Sequence, residues 1–104
     1  MKIPVVYMLA SKKRGRIYIG VTSDLPGRLF QQQSGKGSKH TTKYQIRRLV
    51  WFDTFEDMPT AIQKEKSLKR YARQWKINLI EELNPEWLPL DPETGKFVPF
   101  EVGD

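Results

Sequence analysis

Ile3-Pro4-Val5-Val6-Tyr7-Met8-Leu9-Ala10 and Arg16-Ile17-Tyr18-Ile19-Gly20-Val21 are the stretches whose reading decides the fold. The first is an apolar run rich in β-branched residues. The second alternates Ile17, Ile19 and Val21 against Tyr18 and Gly20, the period-two pattern of a strand. Ser11-Lys12-Lys13-Arg14-Gly15 between them is polar, with a glycine near its end, so the pair reads as a β-hairpin. Its register decides whether Tyr7 and Tyr18 meet. They share a face only if position 7 lies opposite position 18 or two residues from it, whereas a tight five-residue loop pairing Ala10 with Arg16 puts them on opposite faces. The expectation is the first arrangement. Lys2 ahead of an apolar run of about eight residues is at the short limit of a secretory leader, and Ser11-Lys12-Lys13-Arg14 follows at once, so the segment reads as a strand.

Outward from the hairpin, Thr22-Ser23-Asp24-Leu25-Pro26 starts a helix, with Ser23 or Asp24 as cap and Pro26 in the first turn. That helix runs to about Gln33 and stops at Ser34-Gly35; a basic loop follows. Leu49–Phe55 reads as a third strand. Asp57-Met58-Pro59-Thr60 opens a second helix through about Tyr71, and Gln74–Leu83 forms a third that Asn84-Pro85 ends. Beyond Trp87 the chain is acidic and Pro-rich, with an Asp-Pro-Glu-Thr-Gly turn at 91–95 and little regular structure expected. The order strand, strand, helix, strand, helix, helix predicts an α+β body, a small antiparallel or mixed sheet with helices on its faces. Residues 1–88 read as that body and 89–104 as a tail.

At 104 residues, with 38% hydrophobic and 29% charged, the composition is that of one soluble globular domain, and it excludes a multidomain enzyme, a solenoid or a membrane-spanning chain. Cysteine is absent and His40 is the only histidine, which rules out disulfides, thiol nucleophiles and multi-His or Cys-type metal sites. A cytoplasmic protein fits this composition. Charge is segregated: residues 1–80 hold 17 Lys and Arg against 5 Asp and Glu, and residues 81–104 hold one Lys against 7 acids. A cationic body attracts a polyanion, nucleic acid first among them. The acidic tail either folds over the basic surface or is an unstructured end.

Several residues invite a chemical reading beside a plain one. On the second helix Ala61, Leu68 and Ala72 define an apolar stripe with Met58 and Ile62 at its side, and Glu65 falls inside it while Lys64, Lys66, Arg70 and Arg73 lie off it. A carboxylate in such a stripe requires a partner, either Lys69 one turn on or a cation. Arg28, among Leu25, Leu29 and Phe30, either edges an apolar face or clamps a phosphate. Lys12, Lys13 and Arg14 in the hairpin, and Lys36, Lys39, His40 and Lys43 in the loop 35–43, are candidate nucleic-acid contacts; the loop lacks the Walker A pattern. Tyr7 and Tyr18 taken alone are sheet-face residues.

In order, these residues resemble a family. Val6-Tyr7-Met8 and then Ile17-Tyr18-Ile19-Gly20-Val21-Thr22 resemble the paired motif that names the GIY-YIG endonucleases. The resemblance continues through Asp24-Leu25-Pro26-Gly27-Arg28-Leu29, Ser34-Gly35-Lys36-Gly37 with Thr41-Thr42, Ala61 to Lys69, and Lys76-Ile77-Asn78-Leu79-Ile80 to Asn84-Pro85-Glu86-Trp87, covering about residues 3–88. It is closest to the small single-domain UPF0213-type branch, which resembles the nuclease domain at the start of the UvrC excision-repair subunit. The resemblance implies a three-stranded antiparallel sheet flanked by about three helices, and a metal-dependent endonuclease acting on DNA, branched or single-stranded forms included, in repair or recombination. It implies that Tyr7 and Tyr18 sit together with one as general base, that Arg28 binds the scissile phosphate, that Glu65 ligates one Mg²⁺ or Mn²⁺, and that Asn84, or Asn78, supports the site. Val5 and Val6 depart from the name motif without loss of chemistry. Gln32 stands where many relatives carry His one turn after the arginine; it cannot exchange a proton near neutrality, so that role is vacant, met by His40 from the loop, or unnecessary. Gln32 favours an alternative, a catalytically weak or inactive nucleic-acid-binding module. A third class is a protein-interaction domain whose acidic tail meets a basic partner.

Overall fold

Val5–Ala10, here β1, is buried at all six positions, as an apolar run on both faces requires of a central strand. In the computed structural model, which describes residues 3–33 and 46–96, β1 lies between β2 (Ile17–Thr22) and β3 (Arg48–Thr54), both antiparallel to it, in the order β2-β1-β3. Three helices complete the described body: α1 (Leu25–Gln33), α2 (Met58–Lys69) and α3 (Arg73–Leu83). This is the expected α+β architecture, with the sheet wholly antiparallel.

The hairpin closes with Ala10 opposite Ile17, so the loop is one residue longer than the tight form that would have separated the tyrosines. Ser11 N–H donates to the Arg16 carbonyl at 3.1 Å, Gly15 N–H to the Lys12 carbonyl at 2.9 Å, and Arg14 takes the left-handed turn conformation at φ 56°. On the β3 side the register slips between Met8 and Leu9: Met8 faces Trp51 and Leu9 faces Leu49. Val50 is the extra residue of a bulge. Through it Val50 and Trp51 both reach one face of the sheet, while Leu49 and Phe52 reach the other.

The two faces carry separate cores. Val6, Met8 and Ala10 point with Ile19 and Trp51 towards Ala61 and Leu68 of α2 and Ile77 and Ile80 of α3. Val5, Tyr7 and Leu9 point the other way, towards Leu25 and Leu29 of α1. Asp24 caps α1: its carboxylate accepts from Gly27 N–H at 3.3 Å and its own N–H donates to the Thr22 hydroxyl at 3.0 Å. Asp57 caps α2 by accepting from Thr60 N–H at 2.8 Å.

One expected core residue is corrected. Ala72 is exposed and lies outside α2, because the helix tightens and ends at Arg70, with Arg70 N–H on the Ser67 carbonyl and Tyr71 N–H on the Leu68 carbonyl, both 3.1 Å. The backbone is extended at Ala72 (φ −58°, ψ 150°), so the helical phase that put it on the stripe has been lost. After α3 the chain turns back along β3. Trp87 is fully buried, Leu90 N–H donates to the Leu49 carbonyl at 2.9 Å, and the turn at 91–95 closes with Gly95 N–H on the Asp91 carbonyl at 2.8 Å. Gly95 sits at φ +74° against the Phe52 ring, where a side chain would be both strained and crowded. No helix among the described residues is long and apolar enough to cross a membrane.

Candidate active site

Residues facing one another across a ladder share a face, so Tyr7 opposite Gly20 and Leu9 opposite Tyr18 put both tyrosines on the α1 side. Their ring centroids are 6.3 Å apart at 46°. Gly20 makes this possible. A Cβ at Gly20 would fall against the Tyr7 ring, 2.9 Å from Cε1 and closer still to the hydroxyl, so the Tyr7 ring lies over bare backbone in the neighbouring strand. Tyr7 is fully buried and Tyr18 only half-buried, so of the two phenols Tyr18 is the more accessible to water.

Arg28 lies on α1 one residue before Leu29, whose side chain packs into the same core as the tyrosines. It is half-buried, and among the described residues its guanidinium has no hydrogen-bond or ion-pair partner. The backbone of Gln32 is in α1; its side chain, with Lys36, Lys39, His40 and Lys43, lies outside the described residues.

Glu65 is on α2, which covers the opposite face of the sheet across its β1–β2 half. Its side chain is 14% exposed and pairs with Lys69 Nζ at 3.4 Å, the i,i+4 partner that the stripe position calls for. No group of three metal-ligating side chains occurs among the described residues. The structure thus joins Tyr7, Tyr18 and the Arg28 helix on one face, with Glu65 borne by a helix on the other face beside the β2 edge.

Asn84 is buried with its amide fully engaged: it donates to the Val50 carbonyl at 3.0 Å and the Leu88 carbonyl at 2.9 Å, and accepts from Leu88 N–H at 2.9 Å. It fastens the end of α3 to the bulge of β3. Asn78 is exposed and accepts from Gln74 at 2.9 Å.

The hairpin cations also have intramolecular partners. Lys13 Nζ is 2.7 Å from Glu86, and Arg14 grips Glu81 through two hydrogen bonds of 2.8 and 3.0 Å. Glu81 also accepts from the Trp87 indole N–H at 2.7 Å. Arg14 and then Trp87 hold its carboxyl down at about 2, well below the ordinary 4.5. Arg73 adds hydrogen bonds to the Arg14 and Gly15 carbonyls at 2.6 and 2.8 Å. Lys13 and Arg14 therefore strap the hairpin tip to α3 and the segment after it; Lys12 is exposed. The one signal of this strap in the sequence is Trp87, a large aromatic beyond the last helix of a kind that is highly buried on average.

Comparison with known proteins agrees with this geometry. The GIY-YIG catalytic domain matches residues 3–78. A UPF0213 protein of Staphylococcus epidermidis is 32% identical over 68 residues, 65% of this chain and 83% of the relative. One from Staphylococcus haemolyticus is 31% identical over 77 residues, 74% of this chain and 93% of the relative. No solved structure gives a significant match. With the domain match spanning well over half its length and the two tyrosines brought to one face of the hairpin, this chain belongs to the GIY-YIG family, a nuclease family whose substrates are nucleic acids.

Proposed function

We propose that this protein is a divalent-metal-dependent endonuclease that hydrolyses phosphodiester bonds in DNA, in repair or recombination, with residues 1–88 as the nuclease body and 89–104 as a tail. The observation that carries the reading is the Tyr7–Tyr18 pair over Gly20, because a glycine in the strand weakens a sheet that stability alone would fill. Tyr18, the more accessible of the two, takes the proton of the attacking water as its phenolate and becomes the neutral phenol, and Tyr7 holds its orientation through ring contact. Arg28, without a side-chain partner among the described residues, binds the scissile phosphate and offsets the charge that develops on it.

Glu65 fits a metal of the hard, water-rich kind. Mg²⁺ commonly binds through one or two carboxylates together with waters and substrate phosphate, so a single carboxylate is enough once Lys69 turns aside. The ion would supply Lewis-acid polarisation of the phosphoryl oxygen. Asn84 supports the site indirectly, by pinning α3 to β3.

Supercoiled plasmid incubated with Mn²⁺ tests the reading. Nicking by the wild type is expected to fall by about a hundredfold or more in Glu65→Ala and in Arg28→Ala. Equal nicking by all three proteins would overturn it. The Glu65–Lys69 pair also favours a second reading, a nucleic-acid-binding module with a lapsed site. That reading predicts salt-sensitive binding without cleavage under any divalent ion.

A further inference from the structure

Between Lys64 and Lys76 the chain carries six Lys and Arg and a single acid, Glu65. Lys69 answers that acid, and Arg73 donates to neutral carbonyls, so the positive charge of the stretch is hardly cancelled. In its midst Trp75 is 60% exposed, while Trp51 and Trp87 are 6% and 0% exposed. Trp75 is not loose on the surface. Its ring meets Tyr71 edge to face, with centroids 5.5 Å apart at 83°, and Tyr71 packs against the core beneath α2 and α3. The other prominent exposed apolar residue of α3, Leu83, stands among Glu81, Glu82 and Glu86 and has no such setting.

We infer that the Tyr71–Trp75 pair, with Lys66, Arg70 and Lys76 close to it in the chain, is a binding face for unpaired nucleic acid, one base stacking on the Trp75 indole and the cations holding the flanking phosphates. An indole fixed by a second ring gives a base a flat partner at low entropic cost, and every base has a π face, so binding through it is sequence-tolerant. Lys and Arg around an aromatic suit a polyanion that also carries rings. The inference rests on a nucleic-acid partner for this protein but not on cleavage. It also relocates the recognition surface, from the hairpin tip, where Lys13 and Arg14 already face carboxylates, to the junction of the two helices.

Binding measured in EDTA separates this from the nuclease reading. Because the other two tryptophans are buried, acrylamide quenching reports Trp75. An oligothymidylate of about fifteen nucleotides should shield Trp75, and a duplex of equal length should shield it less. In anisotropy titrations Trp75→Ala should weaken oligothymidylate binding about tenfold, and Trp75→Phe should keep most of it. The salt dependence should stay unchanged in Trp75→Ala and become shallower in the Lys66→Gln, Arg70→Gln double variant. Wild-type affinity in Trp75→Ala, or quenching indifferent to the oligonucleotide, overturns the inference. So does shielding that follows protein concentration alone, which would make the face a contact between copies. Binding as described with no plasmid nicking leaves the inference standing and removes the endonuclease reading; nicking with Trp75 uninvolved does the reverse.

Discussion

β1 serves both faces of the sheet with alternate residues, and the two faces are built differently. Towards α2 and α3, Val6, Met8 and Ala10 meet aliphatic side chains and the buried rings of Trp51 and Trp87. Towards α1, Val5, Tyr7 and Leu9 lie in a layer that includes a second phenol, Tyr18, and a bare glycine. The first face is filled as stability demands. The second gives up side-chain volume at Gly20 to hold two rings 6.3 Å apart. Substitutions in the buried apolar layer of the first face should therefore change stability and leave the chemistry intact below the unfolding temperature, while substitutions among the tyrosines and Gly20 on the second should change chemistry out of proportion to stability.

Trp87→Ala gives the largest stability effect. Trp87 is fully buried, its indole N–H bonds to Glu81, and its carbonyl accepts from Arg48 at 3.1 Å. Truncating a buried tryptophan costs about 3–5 kcal/mol. Urea unfolding should show that loss, with residual nicking at low temperature close to wild type. Gly20→Ala is smaller in stability and larger in consequence. Its Cβ must displace the Tyr7 ring, an overpacking worth about 1–3 kcal/mol. Nicking should fall further than the folded fraction does. If activity merely tracks the folded fraction, the Tyr7 position has no part in the chemistry and the contrast between the faces is one of packing alone.

The hairpin was legible from its two apolar runs and the polar loop between them, but the residues alone left two closures open; the bare backbone at Gly20 under the Tyr7 ring was legible only as a family motif. The start of helix α1 was legible to within one residue, since Ser23 and Asp24 as candidate caps and Pro26 in the first turn are local signals, and Asp24 is the cap. The end of α2 was legible to within two residues, but the place of Ala72 was not, because periodicity says nothing about where the backbone leaves the helix and Ala72 continued the pattern past that point. The Val50 bulge left no mark in an apolar run whose neighbours on either face are all buried. The strap was the least accessible: Arg14 and Glu81 are 67 positions apart, and a lone basic loop looks the same whether its partner is a phosphate or a distant carboxylate. Of the site, the residue types were readable, but the side of the sheet on which each sits followed only from register and packing, and these put α2, with Glu65, opposite the tyrosines.

The strap yields the smallest effect, visible only in acid. Glu81 titrates at about 2 in the folded protein against an ordinary 4.5, so on acidification the unfolded chain takes up the proton first. Its contribution is present in full above about pH 4.5 and drains away as the pH falls towards 2. Glu81→Gln keeps the shape and the side-chain length but neither charge nor titration. The variant should be somewhat less stable than wild type at pH 7, and the gap between their urea midpoints should narrow as the pH is lowered from 4.5 to 3. Nicking at pH 7 should change little, since Glu81 anchors the hairpin tip rather than the Tyr7–Gly20 pairing further along the strands. Parallel acid profiles for the two proteins would mean that Arg14 is free of Glu81 in solution, and would return Arg14 to the set of groups open to nucleic acid.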